Sequence, residues 1–163
     1  MKIAILSDTH NNINNSQLAR KKIEDSGIDT IIHCGDLTDP RIMDYFGEFR
    51  IYLVYGNGDY PHEIKQQISW YRDDNLSADF IDLDLNGKQF YVTHGHDHWR
   101  LNTAVESGKY NYVLHGHTHR YRDEWIGKTR VINPGALGGR KLEMRSFVFL
   151  DLETDKLERI LFK

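Results

Sequence analysis

Short apolar runs alternate with polar loops through the first third of the chain, and each run ends in an acid or an amide. Residues 2–7 are a run with two isoleucines, which predicts a buried strand. Asp8-Thr9-His10 follows directly. Residues 11–15 read as a loop rich in N-cap residues, and 16–26 as a helix with Leu18, Ala19 and Ile23 near one face, stopped by Gly27. The same β-loop-α unit then repeats. Residues 28–33 predict a strand closed by Cys34-Gly35-Asp36, and Pro40 opens a helix to about 46 or 47. Residues 50–55 predict a third strand, which runs into Gly56-Asn57-Gly58-Asp59. In an α/β sheet such strand ends share one rim, and ligands bind there.

The pattern changes further on. Ile64 and Ile68 place a helix over 63–70, and 73–78 read as a polar loop. Residues 80–85 and 88–93 flank Asn86-Gly87, a strong hairpin signal. The return strand runs into His94-Gly95-His96. A short helix is expected over 103–107, ended by Gly108. Residues 110–114 predict a strand leading into His115-Gly116-His117-Thr118-His119. Alternate positions on an extended chain point to one side, so this stretch reads as the wall of a metal site. Strands are expected over 122–126, 128–132, 145–151 and 156–162, with a Gly-rich loop spanning Asn133-Pro134-Gly135 and Gly138-Gly139. That loop lacks the Gly-Lys-Ser/Thr of a phosphate loop, and His62-Glu63 is followed by Gln66 where a zinc protease needs His. No repeat or linker divides the chain, so residues 1–163 are expected to be one α/β domain.

Composition narrows the function classes. The chain has 163 residues, 39% hydrophobic and 28% charged, as ordinary globular proteins have. A net charge of -3 gives no bulk attraction to nucleic acid or to anionic membrane. Cys34 is the only cysteine, so no internal disulfide forms and a reducing compartment is expected. Four apolar residues after Lys2 do not make a signal peptide, and no run approaches the ~18 needed to span a bilayer. A cytoplasmic protein is the expectation.

Asp8, His10, Asp36, Asn57, His94, His117 and His119 all fall where a predicted strand gives way to a turn. Mixed imidazole and oxygen donors suit Mn, Fe, Zn or Ni, and the absence of thiolates argues against a structural zinc site. Seven donors exceed what one ion takes and suit two ions sharing a carboxylate. Two divalent ions outweigh the charges of Asp8 and Asp36, and the net positive centre favours an anionic, phosphoryl-bearing substrate.

Asp8-x-His10, Gly35-Asp36, Gly56-Asn57-x-Asp59, His94-Gly95 and Gly116-His117-x-His119 resemble, in order, the motifs of the calcineurin-like metallophosphoesterases. Thr93-His94-Gly95-His96 and Ile132-Asn133-Pro134-Gly135 resemble the small phosphodiesterase branch that includes the retromer scaffold subunit. The resemblance implies a two-sheet sandwich flanked by helices. It implies that Asp8, His10, Asp36 and His119 hold one ion, and Asp36, Asn57, His94 and His117 the other, with manganese expected first and nickel, zinc or iron as alternatives. A metal-bridging hydroxide would attack a small phosphodiester. The alternatives are a phosphomonoesterase and a metal-binding docking scaffold. Many relatives carry His after the Asn of the Gly-Asn motif, to act on the leaving group; here the position is Gly58, and Asp59 lacks that partner. His96, two residues from His94, is the expected substitute, and Asn57 is expected also to touch the phosphate. His33, Cys34 and His115 read as packing, Trp70, Trp99 and Trp125 as core or interface, and Arg140-Lys141 as solvated surface. Self-association suits a small β-rich domain, but no sequence feature demonstrates it.

Overall fold

The computed structural model describes residues 1–162. Strand β1, Lys2–Leu6, is buried along almost its whole length and alternates between two cores. Ala4 and Leu6 face outward to helix α1, Ile13–Asp25, whose Ala19 and Ile23 close over them. Ile3 and Ile5 face inward to a second sheet. Side chains on an extended strand point alternately to opposite faces, so a strand apolar on both sides must lie between two layers.

The same logic extends across the sheet. Strands β2 (Thr30–His33), β3 (Arg50–Val54) and β4 (Leu76–Ala78) run parallel to β1. Strands β10 (Arg145–Asp151) and β11 (Leu157–Phe162) complete the order β11-β10-β1-β2-β3-β4. Against this sheet packs a second, ordered β5-β6-β7-β9-β8. Its members are β5 (Phe80–Leu85), β6 (Lys88–Thr93), β7 (Tyr112–Leu114), β8 (Tyr121–Ile126) and β9 (Thr129–Pro134). Phe90, Val92, Tyr112, Leu114 and Ile132 turn inward to meet Ile3, Ile5, Ile32 and Val148. Tyr91, Val113 and Val131 turn outward beneath α3, His98–Glu106. A 3₁₀ turn, Pro40–Tyr45, and helix α2, Pro61–Ser69, join α1 on the first sheet's outer face. The two-sheet sandwich flanked by helices is therefore observed. No helix among the described residues is long and apolar enough to cross a membrane.

Several expected boundaries move. Helix α1 starts at Ile13 because the Asn12 side chain accepts from the Asn15 N–H at 3.0 Å, capping it earlier than expected. Leu18 faces solvent, 50% exposed, rather than the core, because at about 3.6 residues per turn it lies roughly 100° around the helix from Ala19 and further from Ile23. Helix α3 starts at His98, not near 103, because the Asp97 side chain caps Arg100. The polar loop expected over 73–78 holds β4, an edge strand of three residues, too short to show an alternating pattern. The helix after Pro40 is a 3₁₀ turn.

Replacing Ile32, fully buried between the sheets, is expected to be costly. Ile32→Ala should lower unfolding free energy by about 2–5 kcal/mol in urea denaturation. Leu18→Ala should change it by no more than about 0.5 kcal/mol. Equal effects would contradict the placement of either residue.

Candidate metal centre

Strands β1, β2 and β3 are parallel, as are β6 and β7 in the other sheet. Their C-terminal ends meet at one rim. Backbone bonds lock the exits together: Asp8 N–H donates to Gly35 O at 2.9 Å, His10 N–H to Asp36 O at 3.0 Å, and Gly116 N–H to His94 O at 2.9 Å. The two sheets join where the His117 N–H donates to Asp8 Oδ2 at 3.0 Å. Gly116 permits this approach, because a Cβ there would sit 1.8 Å from Ser7 Oγ and 2.7 Å from Asp8 Oδ2. The exits are bent tightly. Asp8, His10, Asp36, His117 and His119 all have φ between 43° and 66°, a left-handed conformation rare outside glycine.

This bending corrects the reading of His115, His117 and His119 as one wall. Strand β7 stops at Leu114, so the three imidazoles do not share a side. His119 turns toward His10, with their Nε2 atoms 3.0 Å apart and its own Nε2 3.3 Å from Asp8 Oδ1. His117 turns toward His94, with ring centroids 5.1 Å apart. His115 is buried and faces Gly116 O and Arg122.

The carboxylates are oriented by their spare hydrogen bonds. Asp8 Oδ2 accepts from Ser7 Oγ at 2.6 Å and from the His117 N–H, leaving Oδ1 buried without a partner. Asp36 Oδ1 accepts from the Gly58 N–H at 2.8 Å, and its Oδ2 lies 3.5 Å from both His10 Nε2 and His94 Nε2. His94 donates from Nδ1 to Cys34 O at 2.7 Å, since a carbonyl only accepts. That fixes the tautomer and leaves its Nε2 as a buried lone pair with no partner. His119 Nδ1 donates to Arg140 O at 2.9 Å, again freeing Nε2. Two triplets of potential ligand atoms result: Asp8, His10 and His119, and Asp8, Asp36 and His94.

The electrostatics ask for positive charge. Burial opposes ionisation of Asp36, but His94, the Gly58 N–H and His10 together hold its carboxyl below the usual range. Burial also opposes protonation of His94, yet Asp36 and Asp8 raise its pKa. The carboxylate of Asp8, with Oδ1 3.3 Å from His119 Nε2, raises His119. Burial lowers both His10 and His117. Two imidazoles beside the acids thus gain affinity for a proton, the simplest cation available.

Asn57 lies exposed at the tip of the turn after β3, beside the Gly58 N–H that holds Asp36. Gly58 is tight, since a Cβ would lie 3.2 Å from Asp36 Oδ1 and from Thr38 Cγ2. Asp59 is not left idle by the glycine. Its Oδ2 accepts from the Asp36 and Gly56 N–H groups, each at 2.8 Å, and its Oδ1 from Thr38 at 2.7 Å, clamping the two loops. His96 is exposed, with its ring 5.5 Å from His94 and 6.2 Å from His117; His98 stands 6.4 Å from His117. Spacing alone did not reveal Ser7, the Asp59 clamp or the closeness of the Gly138-Gly139 loop to the rim. Gly138 donates to Asp8 O at 2.7 Å, and a Cβ on Gly139 would meet His10 and His119. Paired glycines late in the chain were the only visible signal of that wall. Trp99, Trp70 and Trp125 are exposed rather than core.

Residues 1–155 match the calcineurin-like phosphoesterase superfamily domain. The chain is 32% identical, over the full length of both, to Phosphodiesterase MJ0936 of Methanocaldococcus jannaschii. A solved archaeal phosphodiesterase superposes with a TM-score of 0.94 at 33% identity, covering 99% of this chain and all of the other. A Vps29 from Entamoeba histolytica superposes at 0.72 with 17% identity over both full lengths, a likeness of fold alone.

Burial pushes His115 down to about 4. Its folded pKa lies below its unfolded value near 6.5, so between those values only the unfolded chain takes up the proton. The stability this group contributes is therefore full above about pH 6.5 and declines as pH falls toward 4, by about 3 kcal/mol. Urea denaturation of metal-free protein from pH 7 to 4.5 should show a flatter profile for His115→Gln than for the parent. Parallel profiles would contradict a buried neutral imidazole.

Proposed function

The chain belongs to the calcineurin-like phosphoesterase superfamily, and we propose that it hydrolyses small phosphodiesters using two divalent transition-metal ions held at the rim. It is a phosphoric diester hydrolase, as its full-length relative's name and family place it. The observation that carries the metal reading is the pair of buried, unpartnered atoms Asp8 Oδ1 and His94 Nε2, in a cluster whose other donors are carboxylate and imidazole. Leaving such atoms bare costs several kcal/mol unless a cation meets them. The donor set suits manganese, with nickel, zinc or iron as alternatives.

Asp8, His10, Asp36 and His119 would hold one ion, and Asp36, Asn57, His94 and His117 the other. Asp36 Oδ2, equidistant from His10 and His94, suits the shared position. When bound, the ions supply positive charge for the phosphoryl oxygens and make hydroxide available as nucleophile near neutral pH. Cys34 O and Arg140 O hold the imidazoles of His94 and His119 in the tautomer that leaves Nε2 free. This second layer is what normally tunes and orients metal-binding histidines. The Asn57 amide, exposed at the tip of the turn after β3, would serve the phosphoryl group as well as the ion. His96, exposed beside His94 and His117, delivers a proton to the leaving-group oxygen. No carboxylate or hydroxyl of the chain is needed as a covalent nucleophile.

The test compares an aryl phosphodiester with the matching monoester after chelator stripping and reloading with Mn, Ni, Zn or Mg. Diester hydrolysis should depend on added metal and should fall at least ~100-fold in Asp36→Asn and His117→Ala. Metal-independent turnover, or full activity in either variant, would sink the reading. A higher rate on the monoester would replace diesterase with monoesterase. His96→Ala should slow an alkyl diester, whose leaving group needs a proton, by ~10²-fold or more, and an aryl diester far less. Equal effects on both would remove His96 from that role.

A further inference from the structure

His33 is a polar ring at the C-terminal end of an otherwise largely apolar strand, β2. It follows Ile31 and Ile32 on β2, which pairs with β1 on one side and β3 on the other, and it is 3% exposed. An aliphatic residue would fill this place without the cost of taking an imidazole out of water, which runs to a few kcal/mol unless its nitrogens are bonded. Both nitrogens are bonded. Nδ1 accepts from the Gly35 N–H at 3.2 Å, and Nε2 lies 2.7 Å from Thr9 Oγ1. The Gly35 amide can only donate, so Nδ1 carries no proton and Nε2–H donates to the threonine.

The partners are what make this arrangement informative. Thr9 sits between Asp8 and His10, and Gly35 directly precedes Asp36. We propose that His33 is a positioning residue that braces the Asp8-Thr9-His10 loop against the Gly35-Asp36 loop and so sets the spacing of the ligand cluster. The proposal rests on the metal reading above.

Three features support it. Asp8, His10 and Asp36 hold φ of 51°, 43° and 56°, and such conformations persist only where the surroundings over-determine them. The backbone bonds between the loops, Asp8 N–H to Gly35 O and His10 N–H to Asp36 O, fix the main chains but leave the Thr9 side chain free to rotate. Among the described residues, the ring is the one side chain hydrogen-bonded to both loops from behind. Burial keeps it neutral, with a pKa pushed down to about 4, so its donor and acceptor ends do not exchange character near neutral pH. It touches no proposed ligand, so it acts on them only through the two loops.

Calorimetric titration of Mn²⁺ into metal-free protein separates positioning from mere packing, read beside the thermal midpoint of the metal-free forms. Thr9→Val deletes the hydroxyl with little change of shape, and His33→Leu deletes both ring bonds. Each should weaken Mn²⁺ binding ~10–100-fold. The double variant should be no worse than the weaker-binding single one, because both remove the same link. His33→Gln, which keeps a donor for Thr9, should recover much of the affinity. Independently of any variant, ring ¹⁵N shifts of the unaltered protein should report His33 as the Nε2–H tautomer at pH 7. The brace is overturned if Thr9→Val and His33→Leu bind Mn²⁺ within about twofold of the parent while only the melting point moves. Additive losses in the double variant, or the Nδ1–H tautomer, overturn it too. Asp36→Asn serves as the control: if it binds Mn²⁺ like the parent, the metal reading itself fails, whereas loss there with normal Thr9 and His33 variants rejects the brace alone.

Discussion

Two carboxylates buried at the meeting point of two sheets set the terms for the rest of the molecule. Asp8 is fully buried and Asp36 nearly so, and neither has a Lys or Arg partner within salt-bridge distance among the described residues. A buried acid without compensation is strongly destabilising. Here each acid spends one oxygen on fixed hydrogen-bond donors, Ser7 and His117 for Asp8 and Gly58 for Asp36. The other oxygen faces imidazoles, that of His119 for Asp8 and those of His10 and His94 for Asp36.

Loops deliver these groups, and a rigid frame aims them. The parallel strands place five exits on one rim, yet none of the ligand candidates lies within a strand. Left-handed residues at the exits turn the side chains back over the strand ends, and glycine appears where another segment must pass close by: backbone at Gly56 and Gly138, the Ser7 and Asp8 side chains at Gly116. The Gly116 contact matters most for function, since it lets the second sheet bring its histidines to the acids of the first. Behind the rim, carbonyls of Cys34 and Arg140 and the carboxylate of Asp59 hold ring orientation and loop shape. Positioning is thereby built largely from bonds to backbone groups, with the Asp59 carboxylate as the acceptor for three of them.

Much of this was legible in the chain. Apolar runs ending in Asp, Asn or His give strand ends with candidate ligands, and the two-sheet core follows from the family resemblance. The hairpin at Asn86-Gly87 and strand β10 at Arg145–Asp151 fall where the pattern places them. What failed did so for local reasons. Alternation implied one side for His115, His117 and His119, but periodicity holds only while the backbone stays extended, and it ends at Leu114. Leu18 was misplaced because it lies about 100° around α1 from Ala19, off the stripe that Ala19 and Ile23 share. Asp59 looked bereft of a histidine partner, whereas its three backbone hydrogen bonds leave no trace in residue spacing. His33 read as packing because burial and bonding by a neutral ring look alike in a sequence.

The account stands on the rim holding two ions with Asp36 between them. Anomalous diffraction from crystals grown with manganese addresses this without recourse to activity. Two peaks roughly 3.5–4 Å apart are expected, one beside Asp8, His10 and His119 and one beside His94, with Asp36 reaching both. A single peak, or manganese bound away from Asp36, would contradict it.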